Sequence, residues 1–150
     1  MAPANSGEPQ SVSIPVDATE LPGYLRVPRY AESLVVFVHG SGSSRHSPRN
    51  TFVAEYLAEA GFGSLLFDLL TEEEDQVRAS RFDVERIAVR LLEVSRWLGE
   101  NEQTKNLRLG YFGASTGAAA ALRVVAELSE QNADYLIRSV VCRGGRPDLS

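Results

Sequence analysis

Four short apolar runs spaced along the chain restrict it to very few architectures. Residues 34–38 (LVVFV) are continuously apolar and mostly β-branched, the pattern of a strand buried on both faces of a parallel sheet. Residues 64–67, 107–112 and 137–142 read as three further strands. Helical signals fill the gaps. Ser47 followed by Pro48 reads as an N-cap with proline at the first helical position. Phe52, Val53, Tyr56, Leu57 and Ala60 then recur at helical spacing, and Gly61 closes the segment. Val84, Ile87, Ala88, Leu91, Leu92 and Leu98 mark a second helix between Asp83 and Gly99, with Trp97 on a face that packs on the sheet. Residues 116–128 form a third, alanine-rich at its start and so able to pack closely. Upstream, residues 11–14 and 24–27 are short extended segments separated by Pro15 and the turn pair Pro22-Gly23, which predicts an antiparallel hairpin.

The fold class that follows is α/β: a mostly parallel sheet with an N-terminal antiparallel hairpin and helices on both faces. Right-handed crossovers bring the C-terminal ends of the parallel strands to one edge, and every candidate chemical residue falls just after such an end. Residues 1–10 carry neither a basic start nor an apolar core, so they read as a disordered lead-in rather than a signal peptide. Residues 11–150 are expected to form one domain. The net charge of -5 argues against nucleic acid or an anionic membrane as partner, and no apolar run approaches the ~20 residues of a membrane span. The single cysteine, Cys142, permits no internal disulfide and reads as a buried apolar residue, so the expected compartment is the cytoplasm.

Gly113-Ala114-Ser115-Thr116-Gly117 matches G-x-S-x-G, and its setting between an apolar strand and an alanine-rich helix makes the match informative. A serine on so sharp a turn crowds both neighbours, which explains glycine on either side. The helix that follows aims its first N–H groups and the positive end of its dipole at the site. His39-Gly40-Ser41-Gly42 follows the first long strand, where a loop can offer a second N–H. The candidate oxyanion donors are therefore the N–H groups of Thr116 and Ser41, with Gly42 as the alternative to Ser41. The loop is no phosphate loop, because the lysine of G-x-x-x-x-G-K-[ST] is absent. His39, at a strand end, reads as a residue that ties loop to loop. His46 reads mainly as a surface residue that could overhang the site.

These residues resemble the α/β-hydrolase superfamily and, within it, the dienelactone-hydrolase-like proteins. The resemblance rests on Val35 through Gly42, Leu65 through Asp68, Gly110 through Ala120, and Cys142 through Asp148, and it spans about residues 10–150. It implies a serine hydrolase acting on esters, lactones or related acyl bonds, with Ser115 as nucleophile and Ser41 and Thr116 as oxyanion residues. A serine in place of that family's cysteine nucleophile points to the wider esterase-like branch.

The pattern then breaks. In this fold the acid and the histidine follow the nucleophile, yet both histidines, His39 and His46, precede Ser115. Asp134 and Asp148 follow it without the expected setting. The resemblance implies that the acid and histidine lie in a segment beyond this sequence. The competing reading is a non-catalytic binding or assembly module of hydrolase ancestry; a flavodoxin-like phosphate binder is a minor third. A sheet ending at residues 137–142 leaves an open edge, so the expected partner is a second copy or a complementing chain. Arg45 and His46 are the candidate substrate-binding residues; Arg49, Arg81, Arg143 and Arg146 could also reach the strand-end edge. Glu72 to Asp75 reads as a solvated loop in a position that would suit a lid. Neither metal nor cofactor is expected.

Overall fold

The computed structural model describes residues 7–133 and 136–144. Residues 1–6 of the expected lead-in, together with Asp134, Arg146 and Asp148, lie outside the described residues. The hairpin forms from β1 (Gln10–Val16) and β2 (Thr19–Arg26), paired antiparallel from Gln10↔Leu25 to Val16↔Thr19. Its turn is at Asp17 and Ala18, not at Pro22-Gly23. Asp17 takes a φ of 47°, which aspartate tolerates in tight hairpin turns. Pro22 instead lies within β2 opposite Ser13. It fits there because pairing of β2 with the next strand starts only at Gly23, so the missing N–H interrupts no ladder on that side. The Pro22 carbonyl accepts from Asp68 N–H at 3.0 Å.

Among the described residues the sheet runs in the order β1, β2, β4 (Gly63–Phe67), β3 (Ser33–Val38), β5 (Arg108–Ala114), β6 (Ile137–Arg143). β3 is central, flanked in parallel by β4 and β5, and β6 pairs in parallel with β5. Only the hairpin runs antiparallel, through β2 against β4. Helix α1 (Pro48–Glu59) covers one face, where Ala54 packs with Phe37 and Leu66. The other face carries the main core, to which a long helix over residues 84–100 and an alanine-rich helix over residues 116–130 contribute Ile87, Leu91, Leu98, Ala119, Ala120 and Val124. Trp97 packs against this core, as its spacing predicts.

The cap of α1 matches expectation: Ser47 Oγ accepts from Asn50 N–H at 3.2 Å, and Pro48 opens the helix. The buried stripe matches only in part, since Val53 and Leu57 do pack against the Phe37 cluster. Asn50, Ala54 and Ala58 face the sheet, while Phe52 and Tyr56 are 67% and 68% exposed. The sheet surface below already presents Phe37 and Phe112, whose ring centroids are 5.3 Å apart, so the helix approaches with small side chains.

Glu72 to Asp75, expected as a solvated loop, form a short helix, α2 (Glu72–Asp75), and a second, α3 (Arg78–Arg81), follows. Thr71 and Glu74 close a reciprocal capping box at the start of α2. Glu74 also pairs with Arg86 and, through both carboxylate oxygens at 2.7 Å, with Arg90 of α4 (Val84–Glu100). The Arg90 side chain is 6% exposed and also donates to Leu69 O at 2.9 Å. The acidic run is therefore anchored to α4 through Glu74, while Glu72 and Glu73 are exposed. Cys142 is exposed, not buried, because β6 is the outermost strand and little packs on it among the described residues.

Candidate active site

The C-terminal ends of β3, β4, β5 and β6 meet at one edge, as the topology requires. Ser115 lies there between β5 and α5 (Thr116–Glu130), with φ 54° and ψ -120°. For a non-glycine residue this is a strained backbone, costing on the order of 1–3 kcal/mol. It persists because surrounding bonds fix it: Ser115 N–H donates to Arg143 O at 3.2 Å, and Ser115 O accepts from Ala118 N–H at 3.0 Å.

The flanking glycines are sterically required. A Cβ on Gly113 would fall 2.7 Å from Ala118 Cα. One on Gly117 would fall 2.5 Å from His39 O and closer still to Val38 O. Gly40 lets the loop after β3 lie against the turn, since a Cβ there would sit 3.2 Å from Ser115 Cβ and 3.0 Å from Ala114 O. That loop and the Ser115 turn are therefore neighbours. The N–H groups of Thr116 and Gly117 open α5 and have no helical acceptor.

Ser41 and Thr116, the two candidate oxyanion residues, touch through their side chains, with Oγ and Oγ1 3.0 Å apart. Ser41 Oγ also donates to Arg81 O at 2.9 Å. Thr116 is 2% exposed. His39 is buried: its Nε2 accepts from Leu69 N–H at 3.0 Å, and its Nδ1 lies 2.8 Å from Gly40 O. Burial lowers its pKa, only partly offset by the Gly40 hydrogen bond and the charges of Asp68 and Asp75. It is a neutral tie between loops, with both ring nitrogens engaged.

Arg45 and His46 line a cavity of about 420 Å³ together with Ser43, Ser44, Asp68 and Thr71. Arg45 is held there by Asp68, which accepts its backbone N–H at 2.7 Å and its guanidinium at 2.5 Å. The Arg45 guanidinium also sits 5.5 Å from the Tyr24 ring centre, and the exposed His46 ring meets the same tyrosine edge-on at 5.7 Å. Arg81 pairs with Asp75 at 3.1 Å. Arg49 and Arg143 are exposed. The roles of Asp68 and Glu74 escaped the sequence reading. The one available signal for Asp68 was its place directly after an apolar strand.

No protein-family model matches the chain. Proteins from two strains of Mycobacterium tuberculosis, carrying the provisional name of a phosphoribosyl transferase, are 51% identical over 148 residues, which is 99% of this chain and 32% of theirs. The chain thus spans about a third of the length of these curated relatives. A solved dienelactone hydrolase from Anabaena variabilis is 47% identical with a TM-score of 0.88, covering 96% of this chain and 66% of that one. An esterase from Pyrococcus furiosus, at 24% identity and a TM-score of 0.72 over 93% of this chain and 50% of its own, shares the fold. With the elbow-like turn, the strand order and this similarity together, the chain belongs to the α/β-hydrolase superfamily and is dienelactone-hydrolase-like.

Proposed function

We propose that this chain carries the nucleophile and oxyanion half of a serine hydrolase acting on esters, lactones or related acyl bonds. The observation that carries the reading is the Ser115 backbone, strained at φ 54° between two glycines that tolerate no side chain. Strain of this kind is retained where it serves a site. In the proposed step Ser115 Oγ bonds to the substrate carbonyl carbon, and the carbonyl electron pair moves onto oxygen. The N–H groups of Thr116 and Ser41 hold that oxyanion. Its collapse expels the alcohol oxygen, which takes up the proton released by Ser115. The carrier of that proton is a base outside these 150 residues: His39 has both nitrogens engaged, and His46 is exposed against Tyr24. We place the substrate's flanking part in the cavity lined by Arg45 and His46. Because Asp68 matches the Arg45 charge, that cavity favours hydrogen bonding over plain anion capture.

The phosphoribosyl transferase name of the mycobacterial relatives does not displace this reading. The chain matches 32% of their length, and 96% of it aligns at 47% identity with a dienelactone hydrolase. We also retain the cytoplasm as compartment and the outer edge of β6 as a pairing edge for a second copy or a complementing chain. Val141 on that strand is 54% exposed. Light scattering tests the edge: a strictly monomeric, well-folded chain argues against self-pairing.

A fluorophosphonate probe tests the nucleophile. At pH 9, where hydroxide can take the serine proton, the Ser115 O–P bond forms and fluoride leaves. Loss of a triad member typically slows catalysis on the order of 10⁴-fold or more, so labelling is expected over hours rather than seconds. Intact mass should show one adduct, located at Ser115 and absent from Ser115→Ala. Equal labelling of that variant rejects the reading.

A further inference from the structure

We infer that the Ser41 and Thr116 hydroxyls form a one-way hydrogen-bond relay that sets the spacing of the two oxyanion N–H donors, with the carbonyl of Arg81 as its anchor. The inference rests on the proposed hydrolase reading and adds to it two positioning side chains and a positioning segment. Proton counting fixes the direction. Ser41 has one hydroxyl proton, and a carbonyl can only accept, so that proton goes to Arg81 O at 2.9 Å. The 3.0 Å contact between Ser41 Oγ and Thr116 Oγ1 must then be donated by Thr116. The relay runs Thr116 to Ser41 to Arg81, joining the first residue of α5 to the loop after β3 and on to α3.

The anchor is suited to the task. Arg81 is the last residue of α3, where a helix leaves its final carbonyls without internal partners. Its guanidinium is fixed in turn: Nε donates to Asp75 O at 2.7 Å and to Asp75 Oδ1 at 3.1 Å. It also borders Gly42, with one terminal nitrogen 3.7 Å from where a Cβ would stand. Upstream, Glu74 holds α2 to Arg90 of the long helix. The segment over residues 71–82 is therefore a brace against the loop, not a flap independent of it. A brace matters because donors aimed at a developing charge lose much of their effect when displaced by an ångström.

The test uses the Ser115 labelling rate with the fluorophosphonate probe in Ser41→Ala, Thr116→Val, the double variant and Thr116→Ser. Each single truncation keeps its backbone N–H and should slow labelling about tenfold or more. The double variant should be no more than about twofold slower than the slower single, because both break one relay. Thr116→Ser restores the hydroxyl and should label within about twofold of the parent. Loss of fold alone would not produce that pattern, and circular dichroism melts identify any variant that fails to fold. If Ser41→Ala does not fold, the Thr116→Val and Thr116→Ser pair decides alone. Parent-like rates in both single truncations, or effects that multiply in the double, overturn the relay while leaving Ser115 as nucleophile. Absence of any Ser115-dependent adduct in the parent sinks both.

Discussion

The Nε2 atom of His39 accepts the backbone N–H of Leu69 at 3.0 Å, so the imidazole bridges the ends of β3 and β4. With Nε2 an acceptor, the proton sits on Nδ1 and points to Gly40 O. Protonating Nε2 would break the Leu69 bond and bury a charge.

A pH dependence of stability follows. Burial holds the folded-state pKa of His39 below its ordinary value, while the unfolded chain protonates near ~6.5. Below that value the unfolded state binds more protons, so stability falls as pH drops. Urea midpoints between pH 7.5 and 5 should decline more steeply in the parent than in His39→Gln, whose side chain still offers an acceptor but does not titrate. At pH 7.5 the variant itself should be less stable by about 1–2 kcal/mol. Parallel curves would refute the assignment.

The elbow glycines give a sharper contrast. Gly117→Ala drives a methyl into the backbone carbonyls of Val38 and His39, neither of which is a soft side-chain end. The expected loss is about 3 kcal/mol or more, at the upper end of overpacking penalties. Gly99→Ala, in α4, meets nothing within 4 Å and should gain up to about 1 kcal/mol from helix propensity. Chemical denaturation of the two variants should move in opposite directions. A stable Gly117→Ala protein would mean that the turn and the loop after β3 are not packed as described.

Much of this was legible because it follows local rules. The four parallel strands, the Ser47 cap and the glycines around Ser115 are each dictated by residues within a few positions. What was not legible depends on partners distant in sequence. Phe52 and Tyr56 share helical spacing with Val53 and Leu57, yet only Val53 and Leu57 reach the cluster of Phe37, Ala54 and Leu66, while Phe52 and Tyr56 stay exposed. Pro22 looks like a turn residue until one knows that β4 pairs only from Gly23 onward. Cys142 looks buried until β6 proves to be the outer strand. At the site, the strand-end placement of Ser115 and Ser41 was readable, but the contact from Ser41 to Arg81, across 40 residues, was not.

Glu74 and Arg90 should behave as a unit. The Arg90 side chain is nearly fully buried; burial lowers its pKa against the opposing charges of Asp17 and Glu93, and its hydrogen bonds go to Glu74 and the Leu69 carbonyl. Glu74→Ala removes the carboxylate that accepts from both terminal nitrogens and leaves Arg90 with the Leu69 carbonyl and the nearby charges of Asp17 and Glu93, for an expected loss of about 3 kcal/mol. Glu74→Leu combined with Arg90→Met removes both charges and should lose clearly less than Glu74→Ala alone. Thermal melts of the two proteins check the order. The reverse order would mean that the pair stabilises the fold beyond cancelling its own desolvation.

Glu93 is the opposite case, a carboxylate working against the fold. Its Oε2 is buried without a hydrogen-bond partner. Burial first, then the Asp17 charge and a side-chain hydrogen bond with Asp17, raise its pKa, against smaller opposing effects from Arg90 and Arg96. A raised acid favours the protonated folded form, so this group's contribution is present at low pH and is lost as pH rises through its folded-state pKa. Glu93→Gln removes the titration and should melt higher than the parent at pH 8, with the gap closing as pH falls towards the ordinary carboxylate range near ~4. Asp17→Asn should recover part of the same gain, since it removes the Asp17 charge while leaving the burial. A Glu93→Gln protein that melts lower than the parent at pH 8 would show that attraction to Arg90 and Arg96 outweighs desolvation, reversing the assignment.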